Sequence, residues 1–268
     1  MMDTDYTTAA GIHGIKAFQD NYIWAIRHGA AVAVVDPGEA APVLEILRRH
    51  HLHLAVILLT HHHRDHVGGV DELRALGDVK VYGPASETLP HCDVPLREGD
   101  RVLLPELELD LRVLDVPGHT AGHIAYHGTA AGISPVLFCG DTLFASGCGR
   151  LFEGTPEQMY RSLAKLMALP GQSRVYCAHE YTLSNLRWAC TVEPNNADLS
   201  AWQRQAAALR ERGDATVPTR LEHELAVNPF LRAGVPDVVA AVSQHVGRPV
   251  QPGVETFGAL RAWKDDFR

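Results

Sequence analysis

The stretch that decides the fold is Leu54-Ala55-Val56-Ile57-Leu58-Leu59-Thr60-His61-His62-His63-Arg64-Asp65-His66. Its first six residues are apolar, partly β-branched and short, which reads as a buried strand. The next seven carry imidazoles and a carboxylate. Gly68-Gly69 follows, and a helical pattern then runs through Val70, Leu73 and Leu76. The polar cluster therefore sits on a loop at the carboxyl end of a strand, where α/β folds place chemistry. Neutral imidazole suits zinc and other borderline divalent ions, and carboxylate suits harder ones. In an extended loop His61 and His63, two residues apart, point the same way. Asp65 and His66 come where the chain turns toward the helix and can face a second ion. Two-metal hydrolytic sites hold their ions roughly 3.5–4 Å apart.

Three more strand ends carry ligand types. Val116-Pro117-Gly118-His119-Thr120 follows the alternating pattern of Leu109, Leu111 and Val113. Val136 to Cys139 is apolar and leads into Gly140-Asp141-Thr142. Val175-Tyr176-Cys177-Ala178 leads into His179-Glu180. A lone His at a strand end is usually structural. Four strand ends that each carry a ligand type fit convergence on one edge of the fold, with room for two ions and for water or substrate.

The T-H-x-H-x-D-H run, with the later G-H-T, G-D-T and A-H-E, resembles the metallo-β-lactamase superfamily and, within it, the hydroxyacylglutathione hydrolases (glyoxalase II). The resemblance extends from Asn21-Tyr22-Ile23-Trp24 and Asp36-Pro37-Gly38 to Arg261-Ala262-Trp263-Lys264-Asp265. It implies two divalent metal ions, zinc first, with iron or manganese accepted by the same donors. One ion would take His61, His63 and His119, the other Asp65, His66 and His179, with Asp141 bridging. Asp65 would also orient the nucleophile. The implied fold is α/β: a four-layered αββα metallo-β-lactamase-like sandwich over residues 1–178, then a small helical substrate-binding domain over 179–268. The implied reaction cleaves S-D-lactoylglutathione, an S-2-hydroxyacylglutathione, to D-lactate and glutathione, the second step of methylglyoxal detoxification.

The resemblance puts Arg150 and Phe152 on the substrate side. Many members carry Tyr where Phe152 stands, so this chain lacks one hydroxyl there. Leu151 between them, and Glu180 and Tyr181 just past His179, join the expected substrate contacts. Arg261 and Lys264 lie one helical turn apart; read alone they are a solvated basic face, whereas in the family such a pair holds the glycine end of glutathione. Gly147-Cys148-Gly149 is a tight loop whose glycines permit unusual backbone angles beside a ligand. His62 and Arg64 are expected to point away from the metals. The cluster His50-His51-Leu52-His53 reads as a solvated helix end, and His123 and His127 as structural residues on a strand.

At 268 residues, with 46% hydrophobic residues, the chain can build one large α/β domain, or a domain and a smaller one. The net charge of −8, from 32 acidic and 24 basic residues, argues against a nucleic-acid partner but permits a local cation cluster for an anionic small molecule. Five Cys with no paired spacing motif point to a reducing, cytoplasmic setting; Cys139 and Cys177 read as buried thiols. Met1-Met2-Asp3-Thr4-Asp5 shows no signal peptide, and no apolar run approaches a membrane span of roughly 20 residues. A monomer acting on a glutathione thioester is expected. The competing readings are a lactonase or a single-iron persulfide dioxygenase on the same fold, a nuclease, and a non-enzymatic metal scaffold. Acidity disfavours the nuclease, and a structural zinc site would be closed and usually Cys-rich.

Overall fold

Period-two alternation sorts the strand side chains between two apolar clusters. In β2 (Asn21–His28), Tyr22, Trp24 and Ile26 join the larger cluster, while Ile23 and Ala25 join the smaller one. In β3 (Ala31–Val35), Ala33 and Val35 go one way, Val32 and Val34 the other. A strand with both faces buried needs covering layers on both sides. The computed structural model, which describes residues 9–267, provides them.

The first sheet has the order β1-β2-β3-β4-β5-β6, with β1 at Ala10–Ala17, β4 at His53–Leu58, β5 at Lys80–Pro84 and β6 at Val94–Leu96. The first three strands are antiparallel; β3, β4, β5 and β6 run parallel. Helices α1 (Ala41–Arg49) and α3 (Val70–Arg74) place Val43, Leu47, Val70 and Leu73 in the smaller cluster, against this sheet's outer face. The second sheet is built from β7 (Arg101–Leu104), β8 (Leu109–Asp115), β9 (Ile124–Ala130), β10 (Ile133–Gly140), β13 (Arg174–Cys177) and β14 (Thr219–Arg220), in the order β14-β13-β10-β9-β8-β7. A ribbon of β11 (Leu143–Phe144) and β12 (Gly147–Cys148) follows β10. Helix α4 (Pro156–Met167) begins at a capping box, Thr155 with Gln158, and has Pro156 in its first turn. The remaining helices are α5 (Thr182–Val192), α6 (Ala197–Glu211), α7 (Leu221–Val227), α8 (Pro236–Val246) and α9 (Val254–Asp266). Their buried residues, Trp188, Phe230 and Phe257 among them, belong to the same cluster as the second sheet.

Two expectations need correction. Helical patterns do not wholly replace strands after His179, because β14 pairs antiparallel with β13 and extends the second sheet. The helix after the ligand loop also stops at Arg74, short of Leu76, and Asp65 and His66 do not lie on an irregular loop. A short turn, α2 (Arg64–Val67), already contains Asp65 and His66; the Gly69 amide then bonds to the Pro37 carbonyl at 2.9 Å, diverted from the helix, before α3 begins. The opening residues 1–5 lie outside the described residues. Among the described residues no helix is long and apolar enough to cross a membrane.

Candidate metal centre

The turns after β4, β8, β10 and β13 meet at one rim of the sandwich. Backbone bonds join the two sheets there: Tyr22 N donates to Ala178 O at 2.7 Å, Glu180 N to Asp20 O at 2.8 Å, and Ile124 N to Thr60 O at 2.9 Å. The rim therefore inherits the rigidity of both sheets.

All seven candidate ligands converge. Donor atoms of His61, His63 and His119 lie within 4.8 Å of one another, and so do those of Asp65, His66 and His179. The Nε2 of His119 is 3.0 Å from His63 Nδ1. Asp141 stands between the two groups. Its Oδ2 is 3.4 Å from His119 Nε2, and its Oδ1 is 3.5 Å from His66 Nε2 and 3.3 Å from His179 Nε2. Asp65 Oδ2 lies 3.5 Å from both His66 Nε2 and His179 Nε2.

A second ring of contacts fixes the imidazoles. His66 Nδ1 donates to Asp36 Oδ2 at 3.1 Å, His119 Nδ1 to the Arg150 carbonyl at 2.9 Å, and His179 Nδ1 to Asp20 Oδ1 at 2.9 Å. Each bond leaves the Nε2 lone pair turned to the centre, the arrangement of metal-ligating histidines. Asp36 also accepts from Thr60 N and Thr60 Oγ1 at 2.8 and 2.7 Å, so its carboxylate is occupied by bracing contacts. Asn21 Nδ2 donates to Asp65 Oδ2 at 3.1 Å. His123 is fully buried, accepts from Asp141 N at 3.1 Å and stacks on His61 at 4.6 Å, which suits its expected structural role.

The donor set fits divalent cations. His61 Nε2, His66 Nε2 and Asp141 Oδ1 are buried with no hydrogen-bond partner, and buried polar atoms rarely stay that way without a ligand or solvent. Burial holds His61, His63 and His119 below the usual imidazole range, which favours the neutral, ligating form. Burial acts the same way on His66 and His179, but the Asp141 carboxylate overrides it and raises both. Asp141 itself is held well below the usual range: burial opposes ionisation, and the charges of His66 and His179 outweigh it. A cation here would replace those protons as the partner of the carboxylates.

Around the centre, Phe152 is 64% exposed, with its ring edge-on to His63 and His119 at 5.5 and 5.3 Å. The Tyr181 ring stacks on His179 at 4.6 Å. Arg150 is exposed, 3.6 Å from Asp265, while Leu151 packs against the core. Lys264 Nζ donates to Ser184 O at 3.2 Å.

Three substrate-side expectations change. The Glu180 carboxylate is turned away from the centre: it accepts from Tyr22 OH at 2.8 Å and Thr216 N at 3.0 Å, bonds Thr216 Oγ1, and faces Arg210 at 3.6 Å. These contacts occupy the carboxylate and brace the loop. Arg261 is not a solvated cation. It is buried, donates to the Cys148 carbonyl and to Asp265 Oδ1, both at 2.9 Å, and lies 5.0 Å over Phe230. Gly149 is required by close approach and not by an unusual backbone angle: a Cβ there would fall 1.9 Å from the Asp141 carbonyl. His62 does point away from the centre, to Glu87 at 2.6 Å. No metal-holding group among the described residues includes His50, His51 or His53.

Sheet packed on sheet, with helices outside and a His/Asp rim suited to divalent ions, defines a protein of the metallo-β-lactamase superfamily, and residues 18–179 match that superfamily's sequence profile. Residues 180–267 match a profile described as the hydroxyacylglutathione hydrolase C-terminus. The chain belongs to the hydroxyacylglutathione hydrolase family. It is 57% identical over 264 residues to the hydroxyacylglutathione hydrolase of Cupriavidus taiwanensis, covering 96% of this chain and 99% of that protein. It is 57% identical over 256 residues to that of Alkalilimnicola ehrlichii, covering 95% and 98%. The fold is shared with ETHE1 from Myxococcus xanthus (TM-score 0.60, 22% identity, 94% of this chain and 100% of that one). It is also shared with the B3 metallo-β-lactamase BLEG-1 (TM-score 0.59, 23% identity, 82% and 98%).

Proposed function

We propose that this chain hydrolyses S-2-hydroxyacylglutathione thioesters, with S-D-lactoylglutathione as substrate and D-lactate and glutathione as products, on two divalent ions held by the rim residues. One observation carries the two-ion reading: the two oxygens of Asp141 face different His sets, Oδ2 toward His119 and Oδ1 toward His66 and His179. A single ion held by both oxygens would draw one His set to them, whereas here each oxygen meets its own. His61, His63 and His119 would hold one ion, Asp65, His66 and His179 the other, with Asp141 a ligand to both. Zinc is the proposed ion, with iron or manganese accepted by the same all-N/O donors.

Bound ions of this kind supply an activated water and polarise the carbonyl that it attacks. The chain does the rest. Asp65, whose side chain is 42% exposed, would orient the attacking water while ligating. Phe152 and Tyr181 flank the thioester as apolar walls. A thiolate leaves readily, so the site needs no strong general acid. Glutathione is net anionic at neutral pH, and Arg150 and Lys264 meet its carboxylates, with Arg261 fixing the helix that carries Lys264. In this reading the two sheets and the turn that carries His179 do the catalysis, and the helices from α5 onward hold the substrate. The reading is of a monomer with no nucleic-acid or membrane partner, in keeping with the net charge of −8, working in the cytoplasm on methylglyoxal-derived thioester.

The test is hydrolysis of S-D-lactoylglutathione beside a lactone and a β-lactam, on metal-quantified protein. The thioester is expected to be the preferred substrate by kcat/KM. Faster turnover of the lactone, or oxygen uptake with a persulfide, would overturn the assignment.

A further inference from the structure

Glu87 lies on the loop after β5, far in sequence from every candidate ligand, yet its carboxylate is buried beneath the centre, with 2% of its side chain exposed. Both oxygens are fully engaged. Oε2 accepts from His62 N and His62 Nδ1, each at 2.6 Å. Oε1 accepts from Gly122 N at 3.0 Å and from Thr120 Oγ1. His62 sits between His61 and His63, and Thr120 follows His119. One carboxylate therefore fastens the loop that carries two candidate ligands of one ion to the loop that carries the third. A parallel strap reinforces it: His62 Nε2 lies 3.3 Å from Glu153 Oε1, and Glu153 Oε2 accepts from Ala121 N at 2.7 Å.

The other ion's group is braced by different residues. His66 is held by Asp36, His179 by Asp20 and Asp65 by Asn21, and none of these contacts involves Glu87. His62, Glu87 and Glu153 are also close enough together to hold a cation themselves. The Glu87 oxygens already accept from two N–H groups, an imidazole and a hydroxyl, so the geometry suits a strap better than a third metal site. Charge-assisted bonds of this kind are roughly twice as strong as neutral ones, and an emptied buried position strands their donors.

We infer that Glu87 is a positioning residue for one of the two metal sites only: it sets the spacing of His61, His63 and His119 and leaves Asp65, His66 and His179 untouched. The inference rests on the ligand division proposed above, and the experiment separates the two. Metal-free protein is titrated with zinc against a chromophoric chelator, with Glu87→Ala and Glu87→Gln each placed in three backgrounds: unmodified, His66→Ala and His63→Ala. Gln keeps the size of the side chain but cannot accept on both sides, so it serves if Ala fails to fold. With His66 removed, the remaining ion is expected to bind about 10–100-fold more weakly when Glu87 is replaced, the range for lost outer contacts. With His63 removed, replacing Glu87 is expected to leave the remaining ion's affinity unchanged.

Equal weakening in both backgrounds would make Glu87 a general scaffold residue and overturn the inference. Unchanged affinity in the His66→Ala background, with only a lower Tm of the metal-free protein, would overturn it as well. If His63→Ala alone holds as many ions as the unmodified protein, the ligand division itself fails and the inference falls with it.

Discussion

Asp141 concentrates the largest consequences in one side chain. Its oxygens are divided between the two His sets, so Asp141→Ala removes a ligand from each proposed site at once. Metal content per chain is expected to fall at both sites; a variant that loses one ion and holds the other with undiminished affinity would remove the bridging role. Lys264 allows a subtler test. Burial, and then the neighbouring charges of Arg261, Arg187 and Arg150, bring its ammonium down to about 8. The cation proposed to meet the substrate carboxylate is thus lost as pH rises through about 8. KM for lactoylglutathione is expected to climb above that pH in the native enzyme. In Lys264→Arg, whose guanidinium stays charged, the climb should disappear. The comparison reads binding where chemistry is slow relative to substrate release. Identical KM profiles for the two proteins would free Lys264 of any role in binding.

At the scale of elements, α7 reaches under the centre. Asn228, just past its end, donates from Nδ2 to Gly147 O at 2.9 Å and Phe144 O at 3.2 Å; Glu224 on the helix accepts from Ser146 N at 2.8 Å. Together they hold the β11–β12 ribbon that follows Asp141. Glu224 is fully buried, and burial pushes its carboxyl from 4.5 up to about 7. The folded chain therefore keeps a proton that the unfolded chain gives up from about pH 4.5 upward. That contribution to stability is fully present below pH 4.5 and is lost as pH rises through about 7. Glu224→Gln, which mimics the protonated acid, is expected to raise Tm relative to the native protein at pH 8, and to do so less at pH 5, at matched metal content. A Tm difference that does not change with pH would show that no proton on Glu224 is linked to folding between pH 5 and pH 8.

The same elements show what local pattern can carry. The strands at His53–Leu58 and Leu109–Asp115 were legible because a short apolar run or period-two alternation marks them locally. The seven clustered His and Asp residues were legible because each follows an apolar strand. The braces were not. Asp20 meets His179 across 159 residues, Glu87 meets Thr120 across 33, and Glu180 meets Tyr22 across 158, and contacts at such separations leave no periodic trace. The burial of Arg261 was hidden for the same reason, since its partner Cys148 lies 113 residues away. The two-residue strand β14 is too short to show any alternation.

For the whole molecule, the metal centre lies on the rim of a core that does not need it. The larger apolar cluster runs from between the sheets into the C-terminal helices, and the smaller one fills the space under α1 and α3. Neither is built from the ligand side chains. A fully buried Leu, Ile or Phe contributes about 1.5–3 kcal/mol, and these clusters contain dozens of buried residues. The stripped protein is therefore expected to remain folded at 25 °C, with a native far-UV circular dichroism spectrum. Ions that bind only the folded state still add stability by mass action, about 2.7 kcal/mol for each site at a free concentration of 100 times Kd. For a chain of this size one kcal/mol moves Tm by roughly 2–4 °C, so saturating each site should raise Tm by about 5–10 °C. The raised His66 and His179 add a sign: both must give up protons to ligate, so the metal-induced rise should shrink as pH falls. Melting curves with and without chelator, at pH 8 and at pH 6, measure both effects. A stripped protein that is unfolded at 25 °C would mean that the ions hold the two sheets together. A metal-induced rise that is the same at both pH values would mean that the histidines carry no protons for the ions to displace.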